Sequence, residues 1–88
     1  MEDDEVRVWL VERSYGTDED LVTLVYATPD GTRRLKKQLS HNMLYGKEIT
    51  AAQDVPDERL EAVPESEQER YATEAERMAE NHDPDDAV

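Results

Sequence analysis

The sequence predicts an α+β fold: a small antiparallel sheet of three to four strands in a meander, with a C-terminal α-helix packed on one face. Three observations carry this expectation. "EVRVWLVERSY" (5–15) has a period of two with β-branched residues, "LVTLVYAT" (21–28) is a β-branched apolar run, and "PESEQERYATEAERMAEN" (64–81) consists of helix formers with an apolar stripe.

The first strand places Val6, Val8 and Leu10 on one face and Arg7, Trp9 and Val11 on the other, the period of two that a pleated strand imposes. "GTDED" (16–20) reads as a turn. The second strand is apolar on both faces, with Leu21, Val25 and Ala27 on one and Val22, Leu24 and Tyr26 on the other. "PDG" (29–31) is a tight-turn signal, proline pre-setting φ and glycine free to take a positive one. In "TRRLKKQLS" (32–40) the leucine spacing fits a strand or a helix, and the preceding turn favours the strand. "HNMLYGKE" (41–48) reads as a loop or a single helical turn, and "ITAAQDV" (49–55) as a short fourth strand. "PDERLEAV" (56–63), with proline and acids leading, reads as a first helical turn.

The last helix sets Tyr71, Ala75 and Met78 at i, i+4 and i+7, with Glu65 and Glu67 at its positive end and Asn81 and Pro84 as the stop. The domain then spans 5–81, between a disordered start at 1–4 and an acidic disordered tail at 82–88.

The formal net charge of this 88-residue chain is -13, and the acidity lies in the second half. Residues 51–88 hold thirteen acids against three bases, whereas residues 1–50 hold ten against seven. The apolar strands argue against disorder, so the charge points to salt adaptation, with acidic groups keeping a protein soluble once salt limits repulsion to about 3 Å. The stretches "VRVWLVERSY", "LVTLVYATPDG" and "ERYATEAERMAENHDPDD" together resemble a group of small acidic proteins of salt-loving archaea whose function is unknown. That resemblance implies a cytoplasmic, high-salt setting and brings no catalytic residue with it.

Chemistry is sparsely encoded. With no cysteine there is no disulfide, thiolate nucleophile or Cys-ligated zinc. "MEDDEV" lacks the basic start and apolar middle of a signal peptide, and no apolar run is long enough to span a membrane. Ser40 and His41 are adjacent, but a nucleophile and its base must converge in space with an orienting acid, which adjacency does not supply. "NHDPDD" (81–86) offers His82 and three carboxylates without calcium-loop spacing, and a helix cap explains it as well. We therefore expect no catalytic, cofactor or metal residues and a non-enzymatic interaction protein.

Two surfaces are candidates. A sheet with two apolar faces and one helix leaves a face for a homodimer or a protein partner, drawn from Trp9, Val11, Val22, Leu24 and Tyr26, unless residues 41–63 fold over it. The second is the basic run Arg33, Arg34, Lys36 and Lys37, four of only ten bases in the chain. It could guard a sheet edge, complement the acidic half, dock an acidic partner or bind nucleic acid. Four phosphate contacts imply a salt slope of about -3.6, so molar salt would abolish most of a nucleic-acid affinity built on this patch alone.

Overall fold

The computed structural model describes residues 5–15, 21–40 and 49–88. Its strands are β1 (Glu5–Tyr15), β2 (Leu21–Ala27), β3 (Arg33–Ser40), β4 (Ala52–Pro56) and β5 (Glu61–Ala62), followed by helix α1 (Glu65–Asn81). The sheet order is β4-β1-β2-β3-β5 and every pairing is antiparallel. The expected meander is β1-β2-β3, and residues 33–40 are strand rather than helix. The described sheet has five strands, one more than the upper expectation.

The additional strand comes from "PDERLEAV". The helical turn expected there is a single 3₁₀ turn, Asp57–Arg59, after Pro56; it does not continue as a helix, and Glu61–Ala62 then pair with Arg34 and Arg33. Proline at 64 blocks a helix from starting earlier, and α1 begins immediately after it. No helix among the described residues is long and apolar enough to cross a membrane.

Five Cα steps separate Pro56 on one edge of the sheet from Glu61 on the other. Fully extended they reach about 17–18 Å, and a 3₁₀ turn shortens them. Four inter-strand spacings in a flat sheet need about 19 Å. The sheet must therefore curl. Its concave side encloses Val8, Leu10, Val22, Leu24, Tyr26, Leu35 and Val55, with Ile49 and Leu60 packed against them. Consistent with this closure, the Lys37 ammonium on β3 donates to Gln53 Oε1 on β4 at 3.1 Å, although β1 and β2 lie between those strands.

Helix α1 covers the opposite face. Tyr71 packs with Val25, Ala27 and Val63, and Ala75 with Trp9, Ala51 and Ala52; Met78 is partly buried and touches both cores. A bulge between Leu10 and Glu12 shifts the β1 register. Strict alternation would put Glu12 beside Leu10 on the concave side; the bulge instead sets Glu12 opposite Val25 on the helix side, 3.6 Å from Arg70.

The segment 82–88, read from its composition as a disordered tail, runs back along 49–52. Thr50 bridges Ala87; the amides of Ala51 and Ala52 donate to the Asp86 and Pro84 carbonyls at 2.8 and 3.0 Å, and that of Val88 to Ile49 at 2.8 Å. Val88 packs against both cores. The acids that dominate the tail conceal one apolar anchor and a set of backbone bonds, which need no particular side chain. The expectation for residues 1–4 falls outside the described residues.

Candidate interaction site

The apolar surface expected from the sequence is not a surface. Val22 is 0% exposed, Leu24 2%, Tyr26 3% and Trp9 8%. They also belong to different faces: Val22, Leu24 and Tyr26 sit in the curl, whereas Trp9 and Val11 pack beneath α1. Two apolar faces on one sheet are met by two coverings within the same chain, and the 41–63 stretch contributes Ile49 and Leu60 to one of them.

The basic run does not form one patch either. Strand alternation sends Arg33 and Lys37 to the concave side and Arg34 and Lys36 to the helix side. Arg33 pairs with Asp57 of the 3₁₀ turn. Arg34, its side chain only 15% exposed, reaches Glu61 at 2.8 Å, Glu67 at 3.6 Å and the Tyr71 hydroxyl at 3.4 Å. Burial disfavours the Arg34 charge, but the hydrogen bonds to Glu61 and Tyr71 outweigh it and raise its pKa. Lys37 donates to Gln53 and lies 6.0 Å from the Tyr26 ring centre. Burial in turn raises the Tyr26 phenol pKa. The acidic second half thus supplies the counter-charges of Arg33 and Arg34. Sequence reading missed Asp57, Glu61 and Glu67 as partners because a carboxylate is common at any spacing here.

Lys36 and Gln38 are exposed, whereas Leu35 is buried and Lys37 half-buried. The amide of Thr28 donates to the Arg33 carbonyl at 3.1 Å, so residue 33 exchanges its backbone bonds with the β2 side. Antiparallel alternation then turns the backbone groups of 35, 37 and 39 toward β2 and those of 34, 36, 38 and 40 away from it. β5 meets this outer edge only at residues 33 and 34. Among the described residues, no strand lies beside β3 from Lys36 onward.

The other candidates resolve into local structure. Asp86 Oδ2 accepts from the Asp83 amide at 2.8 Å and lies 3.9 Å from His82 Nδ1, closing a turn after α1. Among the described residues no three His or acidic side chains group as metal ligands do. Ser40 and His41 have side chains outside the described set. The Asp30 carboxylate accepts from the Thr28 hydroxyl at 2.6 Å and from the Thr32 amide and hydroxyl at 3.0 and 2.8 Å, which lowers its pKa and fixes the β2–β3 turn.

A family of unknown function (DUF7967) matches residues 2–88. No curated protein and no solved structure matches the chain.

Proposed function

The chain belongs to DUF7967, and we propose that it is a small non-enzymatic interaction protein, an adaptor of a high-salt cytosol, which engages a protein partner through the outer edge of β3. The observation carrying this reading is the stretch from Lys36 onward, where outward backbone groups and two exposed side chains have no described strand beside them. An open edge is a template for pairing with another chain. Such binding draws its affinity from backbone hydrogen bonds, which salt screens far less than it screens phosphate contacts. Nucleic-acid binding through 33–37 is the weaker alternative, because Arg33 and Arg34 are already matched to carboxylates and the run is divided between two faces. Homodimerisation through the apolar residues loses its basis with their burial in one chain.

The test is capture from native cytosol at about molar salt, with the wild-type chain beside Gln38→Pro. Proline removes the outward N–H of residue 38 and is tolerated on a sheet edge. A protein retained by the wild type and lost with Gln38→Pro supports the reading. Retention of nucleic acid, or of nothing, refutes it.

A further inference from the structure

We infer that the β3 edge from Lys36 onward accepts an extended acidic segment of its partner as an added strand, with a carboxylate facing Lys36. This rests on the interaction reading above and specifies the partner's chemistry. The chain itself displays that chemistry one step along the same edge. β5 places Glu61 opposite Arg34, with 2.8 Å between Arg34 Nε and Glu61 Oε2, while Asp57 pairs with Arg33. A basic strand is met by an acidic one.

The register also explains why β5 stops. Arg33 lies opposite Ala62 and Arg34 opposite Glu61. Continued in the same direction, Leu35 would meet Leu60 and Lys36 would meet Arg59. Like charges directly opposite each other on neighbouring strands are unfavourable. The 3₁₀ turn Asp57–Arg59 carries the chain away before that pairing forms. Among the described residues no strand meets the outward backbone groups at 36 and 38, and they suit one from elsewhere that has an acid where this chain has arginine.

A second copy is a poor occupant. The free stretch of a second β3, from Lys36 onward, holds no acid to set opposite Lys36. Nucleic acid is poor for another reason: outward carbonyls alternate with outward N–H groups along the edge, and carbonyls repel phosphate oxygens. An acidic extended polypeptide satisfies both backbone groups and Lys36.

The experiment uses the full chain, labelled for amide NMR, at about 0.1 M and about 1 M KCl. The probes are two short blocked peptides, one alternating valine with glutamate and one alternating valine with lysine. The glutamate peptide should shift the Lys36 and Gln38 amides at both salt concentrations, and the lysine peptide should not. Lys36→Glu should weaken the glutamate peptide by roughly fivefold or more and allow the lysine peptide to bind. Gln38→Pro should abolish both; the unchanged sheet dispersion of Lys36→Glu serves as the folding control. Equal binding of the two peptides, no effect of Lys36→Glu, or concentration-dependent shifts at this edge without peptide would overturn the inference. If neither peptide binds while the cytosolic partner is still captured by both the wild type and Gln38→Pro, the edge assignment fails and a partner-binding role at another surface survives. If nothing is captured either, both readings fail.

Discussion

Gly31 lies directly against the backbone of Gln68. A Cβ added to Gly31 would overlap the Gln68 carbonyl oxygen and come within 2.7 Å of the Ala72 nitrogen. The β2–β3 turn is therefore seated on α1, and glycine is required there twice over, for the approach and for a φ of 75°.

Gly31→Ala should accordingly be among the most damaging single substitutions. The positive φ alone costs about 1 kcal/mol, and the overlap forces the turn off the helix. We expect a loss of more than about 2 kcal/mol in urea unfolding. A midpoint unchanged from wild type would mean that the turn and helix are not in contact.

Asp30 should contribute a pH-dependent share of the stability. Its pKa is lowered, first by the Thr28 hydroxyl and then by Thr32. The stabilisation is complete above the ordinary aspartate pKa of about 3.9 and is lost as pH falls through that value toward the lower folded one. Asp30→Ala should cost about 1 kcal/mol at neutral pH, held to that by exposure, and nothing once both proteins are well below the folded pKa. Parallel stability curves across the acid range would contradict this.

Removing residues 84–88 should destabilise the fold. The truncation withdraws the acceptors of the Ala51 and Ala52 amides, whose residues are 0% and 4% exposed, together with the Val88 side chain. A loss of about 2–4 kcal/mol follows from the hydrogen bonds and the apolar burial. Thermal unfolding monitored by circular dichroism measures it, and an unshifted Tm would show the tail to be dispensable.

Salt should stabilise the protein through α1. Glu65 and Glu69, and Glu76 and Glu80, repel at i, i+4 on its exposed face, each pair by about 0.2–0.5 kcal/mol in dilute salt. Only Arg70 with Glu67 and Arg77 with Glu74 oppose this along the helix, both at 3.6 Å. Helix content and Tm should rise together between about 0.1 M and about 1 M KCl. A flat Tm would remove the main physical support for the proposed high-salt setting.

How much of this was legible depended on whether one face's pattern sufficed. Tyr71, Ala75 and Met78 announced the helix because residues at i, i+4 and i+7 share a helix face, whereas in a strand i+7 falls on the face opposite i and i+4. The paired faces of 21–27 and the turn at 29–31 were equally plain. β5 was not, since two residues in an acidic stretch have no period and their strand character comes from pairing with Arg33 and Arg34. The bulge at Val11 inverts the side on which Glu12 falls, and alternation cannot foresee it. The candidate surface misled for a related reason: apolar residues on both sides of a sheet indicate two coverings, and only the curl reveals that one chain provides both.

The pairing of β1 with β4 also has a consequence for biosynthesis. β1 leaves the ribosome well before its outer neighbour: the Arg7–Asp54 pair, 2.9 Å apart in the finished protein, spans 47 positions. Until residues 52–56 emerge, Glu5–Val8 lack the strand they pair with in the finished sheet, in the state where newly made chains are most prone to stick to one another. Arg7 lies in that stretch, and a charged side chain on an open strand disfavours pairing with another chain. The residue that ties β1 to β4 is thus also of the kind that suits the strand's wait for its partner.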